Sequence, residues 1–190
     1  MTRRLLLLAA GLGTVLALGW IGHTLLFTSF MLYDDEGYVL LTLQDFGRHG
    51  GLYEQIFSQY GPAFYVGYDL LQRLLDFAWT STTARWITLV NWMATVAGCC
   101  VVARRARLPW PLVLFLFVNA FTFLWIMTRE PMHPGSTITL LVAIAAWLGY
   151  EAIRADRPVL FAVILGVTGA ALALTKINVG AFLILSTVFW

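Results

Sequence analysis

The chain has 190 residues, 60% of them apolar and only 12% charged, with a mean hydropathy of +0.80. A soluble domain carries about twice that share of charge, so a water-facing globule is excluded, and disorder is excluded by the same hydrophobicity. The net charge of +2 says little, but seven of the ten acids (Asp34, Asp35, Glu36, Asp45, Glu54, Asp69, Asp76) fall between Tyr33 and Trp79, and Lys176 is the sole lysine.

A membrane-spanning helix takes roughly 20 residues. The first apolar run, Leu5 to about Phe30, follows Arg3 and Arg4. A cleaved signal peptide with Ala17-Leu18-Gly19 as its cleavage site is the competing reading. The run continues through Trp20, Ile21, Leu25 and Phe27 to Leu32, which is too long for a signal core and favours a retained anchor. His23 within it is expected to be a satisfied intramembrane histidine rather than a proton relay.

An acidic region, residues 33–83, forms the expected first outer loop. Asp35 to Phe46 reads as a short amphipathic helix ended by Gly47, Gly50 and Gly51. Tyr60-Gly61-Pro62 then turns into a second helix, Pro62 to Trp79. Asp69, Gln72, Arg73 and Asp76 share one helical face of it, and Leu70, Leu71, Leu74, Leu75 and Ala78 share another. Asp69 and Arg73 can pair across one turn. Such a helix lies in the membrane interface better than it spans, because each charge at mid-bilayer costs roughly 2.5–3.5 kcal/mol.

Further spans are expected at Ala84–Val102, Trp110–Met127, Ser136–Tyr150 and Val159–Leu174, with a sixth beginning at Val179 and still apolar at Trp190. The expected fold is therefore all-α: a polytopic membrane protein of about five complete spans plus a truncated sixth. Cys99 and Cys100 are adjacent within an apolar run and read as small lipid- or core-facing residues. Trp20, Trp79, Trp86, Trp110, Trp125 and Trp147 read mostly as interfacial anchors. With the N-terminus cytoplasmic, Arg3, Arg4, Arg104, Arg105, Arg107, Arg154 and Arg157 all fall inside, as the positive-inside rule asks. Running Pro62–Trp79 through the bilayer would move Arg104–Arg107 outside. The acidic loop, the Glu130–Gly135 loop and Lys176 then share the outer face.

Three successive carboxylates, Asp34-Asp35-Glu36, end the first span. They suit a solvated helix N-terminus, where acids meet the helix dipole, or a general base or divalent-cation site at the membrane surface. Glu130 and His133, in a loop stiffened by Pro131, Pro134 and Gly135, suit a plain interfacial turn or a second acid/base or cation-ligand pair. Asp35 and Glu130 are the two candidates for holding a cation. Lys176 suits a snorkelling lysine or a cation for a lipid phosphate, with Asn178 and Gly180 letting a head group approach.

Four features in order carry a family resemblance: Asp35-Glu36 directly after the first span; Gly50-Gly51-Leu52-Tyr53 followed by Tyr60-Gly61-Pro62; an acid, Glu130, in a second outer loop; and Leu174-Thr175-Lys176-Ile177-Asn178-Val179-Gly180. Together they resemble the N-terminal half of the polytopic GT-C glycosyltransferases, which include protein O-mannosyltransferases and aminoarabinose–lipid A transferases. The resemblance implies sugar transfer from a polyprenyl-phosphate donor to an acceptor hydroxyl on the outer face of a bacterial inner membrane, with no nucleic-acid partner. It makes Asp35 the general base and gives Glu36 or Asp34 an orienting or cation-binding role. It makes Glu130 and His133 second-loop partners, and Lys176, with Arg129, the holder of the donor phosphate. The second loop departs from the pattern, with Glu-x-x-His where several relatives have aspartate. A chain ending inside a helix is expected to be a fragment, inactive alone. The competing readings are a transporter or flippase subunit, which would put charge near the bilayer midplane, and a membrane assembly protein, which would tolerate charge reversal across Asp34–Glu36.

Overall fold

In a computed structural model, the structure describes residues 2–28, 35–127 and 130–188. Asp34 and Arg129 lie outside the described residues, as does the side chain of Asp35. Eight helices are described: α1 (Thr2–Thr28), α2 (Asp35–His49), α3 (Pro62–Leu75), α4 (Ser81–Arg105), α5 (Trp110–Met127), α6 (Pro134–Arg154), α7 (Pro158–Ala173) and α8 (Ile177–Val188). The chain is an all-helical membrane protein among these residues. Leu5–Thr28, Ser81–Arg105 and Pro134–Arg154 are long and apolar enough to cross a bilayer, while Trp110–Ile126, Pro158–Ala173 and Ile177–Thr187 are apolar but shorter.

Helix ends follow local chemistry. Thr80 caps α4, its Oγ1 accepting from the Thr83 amide at 3.1 Å. Pro62, Pro134 and Pro158 each occupy a first helical position, where the missing N–H costs nothing. Past the end of α2, Gly50 takes φ +71°, and its amide closes on the Phe46 carbonyl at 2.9 Å. The second amphipathic helix stops at Leu75 instead of Trp79. Asp76 enters the left-handed region (φ 49°) with its amide on the Gln72 carbonyl. Gln72 then holds the returning chain, donating to the Phe77 carbonyl at 3.1 Å and accepting from Trp79 Nε1 at 2.8 Å. Trp79 is thereby drawn into the core, 6% exposed, instead of anchoring at an interface.

Two apolar cores organise the molecule. One lies between the long helices: Leu18 and Leu26 of α1, Leu89, Trp92 and Val96 of α4, and Phe117, Phe121 and Leu124 of α5. Gly22 sits at this crossing because a Cβ there would come within 2.7 Å of Leu89 and 2.9 Å of Phe121. His23 stacks on Phe27 with ring centroids 4.4 Å apart and faces Trp86 at 5.2 Å. The second core belongs to a cap built from α2, α3 and the segments beside them, in which Val39, Leu43, Tyr60, Phe64, Tyr65, Tyr68 and Trp79 close over Ala84 and Met132. The cap buries Phe64, Tyr65 and Tyr68 of α3. Val66, Leu70 and Leu74, spaced by four, remain an exposed apolar stripe beside the Asp69–Arg73 pair (2.8 Å).

Helices α4 and α6 run parallel and in register. Asn91 meets Ser136, Gly98 meets Ala143, and the Arg105 carbonyl accepts from the Tyr150 hydroxyl. The small pair Gly98/Ala143 lets the backbones close in the middle, with a Gly98 Cβ falling 3.3 Å from that of Ala143. This pairing sorts the loops to two ends. At one end Arg105 pairs with Glu151 at 3.0 Å and Arg104 lies over the Trp110 ring at 4.4 Å. At the other end are the cap, the Glu130–His133 turn and the Leu174–Lys176 turn. The two cysteines are free thiols, Cys99 exposed and Cys100 half-buried.

Candidate functional site

The cap end is assembled by backbone contacts between segments far apart in sequence. The Gly61 amide donates to the Thr175 carbonyl at 2.9 Å, and the Ala63 amide donates to the Leu174 carbonyl at 3.0 Å. Gly61 is needed for that approach, since a Cβ on it would sit 2.0 Å from the Leu174 oxygen. The second loop docks on the bundle through the Met132 amide, which donates to Thr88 Oγ1 at 2.8 Å. Met132 is 1% exposed and takes φ 59°. Tyr60 and His133 meet edge to face at 6.3 Å. The first, second and third loops of this end therefore share one small region, with Tyr60, His133 and the turn that carries Lys176 around it.

His133 is held as the N-cap of α6, its Nδ1 accepting from the Gly135 amide at 3.1 Å. A ring nitrogen that accepts there carries no proton, so the bond favours the Nε2–H tautomer. Glu130 precedes it by one turn, its carbonyl accepting from the His133 amide at 3.2 Å. Lys176 is half-buried, and its backbone carbonyl accepts from the Val179 and Gly180 amides at the start of α8. Gly180 serves the α7–α8 turn rather than a head group, because a Cβ there would collide with the Ala173 backbone at 2.3 Å. Asn178 Oδ1 accepts from the next amide at 2.9 Å.

Of the acidic triplet, Glu36 is the member whose side chain is described. Arg85 grips it bidentately, Nε to Oε1 at 3.1 Å and Nη2 to Oε2 at 2.9 Å, with both side chains about nine-tenths covered. Asp35, the first residue of α2, is one position from this clamp. Arg85 was not singled out by the sequence analysis, although a signal was present. Arg85, Thr88, Asn91 and Thr95 recur every three or four residues along a span, and polar groups at membrane depth face the bundle interior. All four are buried. Asn91 donates to the Tyr68 hydroxyl at 3.0 Å, which shares a 2.7 Å hydrogen bond with Thr137 Oγ1. Burial pushes the Tyr68 phenol above its ordinary range despite the bonds from Thr137 and Asn91 that pull it down. Tyr65 is likewise raised by burial, against the bonds to Ser58 and Thr42. Both phenols stay protonated at neutral pH and serve as hydrogen-bonding struts.

Tyr68→Phe should therefore lower stability by about 1–3 kcal/mol, since Asn91 loses a buried partner. Detergent-solubilised protein followed by thermal unfolding reads this directly, and an unchanged melting temperature would remove Tyr68 from the strut between cap and bundle.

Among the described residues no three His, Cys, Asp or Glu side chains gather into a group that could ligate a metal ion. Compared with models of known protein families, with curated proteins and with solved structures, the chain has no match.

Proposed function

We propose that the protein is an integral membrane glycosyltransferase that moves a sugar from a polyprenyl-phosphate carrier to an acceptor hydroxyl. The observation that carries this reading is the convergence of three distant loops at the cap end, joined by the Gly61–Thr175 and Ala63–Leu174 backbone bonds. That convergence brings an acid-bearing helix start, a His/Glu turn and a lysine turn to the same end of the bundle. The seven arginines of the positive-inside pattern fall in segments that end or turn at the other end. In this reading α1, α4, α5, α6 and α7 span a bacterial inner membrane with α8 as a further span, and the N-terminus is cytoplasmic. The exposed Val66/Leu70/Leu74 stripe supports an α3 that rests in the outer interface.

The chemistry is a displacement at the anomeric carbon. The acceptor oxygen attacks that carbon while Asp35 takes the hydroxyl proton. The bond from carbon to phosphate oxygen breaks, and its electron pair leaves on the phosphate. Lys176 screens the phosphate charge as a point cation, with Arg129 as its companion. Glu36 is held by Arg85 and acts by setting where α2 begins. His133, fixed by its cap bond, and Glu130 line the acceptor side.

The test uses the protein expressed from its own gene in membrane vesicles, with labelled polyprenyl-phosphoryl sugars as donors and envelope material as acceptor. Asp35→Asn is expected to abolish transfer while leaving membrane insertion intact, and Lys176→Met to weaken donor use. Unchanged transfer in Asp35→Asn removes Asp35 from the mechanism. Wild-type vesicles that carry the full-length gene product and transfer from no polyprenyl-phosphate donor would overturn the reading itself. Tolerance of charge reversal at Asp35, with insertion and stability unchanged, would favour an assembly protein.

A further inference from the structure

Away from the cap, a groove of about 370 Å³ runs along α6 where α4, α7 and α8 face it. Val142, Ala146, Ile153, Phe161 and Leu165 give it an apolar lining, and Thr168 is its one hydroxyl besides that of Tyr150. From Val142 to Ile153 is eleven residues of helix, or about 16 Å at 1.5 Å per residue. That is about half the roughly 30 Å thickness of a bilayer's hydrocarbon core, the depth of one leaflet. The groove reaches toward the arginine-rich end of the bundle. Tyr150 lines it, and the Arg154 guanidinium stands 5.9 Å above the Tyr150 ring. Arg154 and Arg157 are exposed there. Arg104, Arg105 and Arg107 close the neighbouring turn, and the acids of these two turns are Glu151, paired with Arg105, and Asp156. Five arginines against two acids leave this end at +3 (5 − 2).

We propose that this groove binds an anionic phospholipid of the surrounding bilayer, one acyl chain lying along α6 and the phosphate beside Arg154 and Arg157. Depth and charge both choose this occupant. An apolar helix from a partner would need no positive mouth, and a soluble anion would need no leaflet-deep apolar slot. Basic clusters at the membrane end of helical grooves attract anionic head groups by about 1 kcal/mol per arginine, a several-fold gain in affinity for each. The site is at the end opposite Lys176 and is independent of the donor site proposed above.

The test takes the full chain, purified in mild detergent and delipidated, and follows its melting temperature during titration with dioleoylphosphatidylglycerol or dioleoylphosphatidylcholine. Phosphatidylglycerol should stabilise the wild type at roughly tenfold lower concentration than phosphatidylcholine. In the double variant Arg154→Gln/Arg157→Gln, the two lipids should become equivalent. Ala146→Trp, which fills the groove, should remove the response to both, whereas Ile144→Trp, outside the lining, should keep it. Equal responses of the wild type to the two lipids would overturn the proposal. So would an anionic preference that survives loss of both arginines, or an Ile153→Cys variant that forms disulfide-linked dimers through the groove. If Ala146→Trp does not fold, the wild-type and arginine titrations still decide.

Discussion

Arg85→Met is expected to lower stability by about 3–5 kcal/mol, because it strands the Glu36 carboxylate in a covered site. The pair is bidentate at 3.1 and 2.9 Å, and the two side chains are 10% and 12% exposed, so water does little to screen it. Glu36→Gln keeps one acceptor oxygen for the guanidinium and should cost less, although it removes the carboxylate charge and one of the two acceptors of the pair. The double variant Arg85→Met/Glu36→Leu should recover most of the loss, since a buried ion pair replaced as a unit by apolar groups is often near neutral. Denaturant unfolding in micelles gives all three values, and a double variant no better than the worse single one would show that the pair is not the clamp. The same proteins separate two roles for Glu36 in the proposed reaction. If Glu36 takes part in the chemistry, the recovered double variant folds but transfers nothing. If it only positions α2, transfer returns along with stability.

Hydropathy made the helices legible to within a few residues. The expected spans at Ala84–Val102, Trp110–Met127, Ser136–Tyr150 and Val159–Leu174 correspond to α4, α5, α6 and α7. Apolar runs bounded by arginines, prolines and capping threonines leave little freedom there. The ends of the cap helices were less legible. Periodicity continues α3 to Trp79, yet the helix stops at Leu75, because Gln72 and an aromatic cluster offer the chain a better return path. Long-range side-chain bonds of that kind leave no local period. Span number is a separate matter from helix position: α5, α7 and α8 are apolar but short, and among the described residues three helices meet the length and hydropathy a crossing needs.

At the site, sequence separation hid more than residue type did. Glu130, His133 and Lys176 stood out as polar residues at the ends of apolar runs, and their turns do lie at one end. Arg85 sits just inside a span, where the eye passes over it, and its partner is 49 residues away. The α4 stripe of Arg85, Thr88, Asn91 and Thr95 could have been found by asking which polar residues of a span share a face. Gly180 shows the opposite error. Its position beside Lys176 suggested room for a ligand, but Ala173 fills that room and the glycine closes a helical hairpin.

Gly61→Ala should be strongly damaging for the addition of a single methyl group. The glycine's φ of −83° is open to any residue, so backbone strain is not the reason. The obstacle is the Leu174 carbonyl, which would lie 2.0 Å from the new Cβ, with its carbon at 2.5 Å. Both obstructing atoms are backbone, so no rotamer change relieves the clash. The α7–α8 turn must move away from the cap, and the Gly61–Thr175 and Ala63–Leu174 bonds break together. Each unmade, covered backbone bond costs about 1–3 kcal/mol, so a loss of about 3 kcal/mol or more is expected. Hydrogen exchange should register it locally, with the Gly61 and Ala63 amides losing protection while α4 and α6, whose contacts are elsewhere, keep theirs. Exchange unchanged at residues 61 and 63 would mean that the turn accommodates a methyl group and the cap does not depend on this contact. The same displacement carries Lys176 away from His133 and Tyr60. In the proposed enzyme, Gly61→Ala should therefore cost transfer activity at temperatures where the bundle remains folded, and Gly67→Ala, whose Cβ would meet nothing within 4 Å, should cost neither.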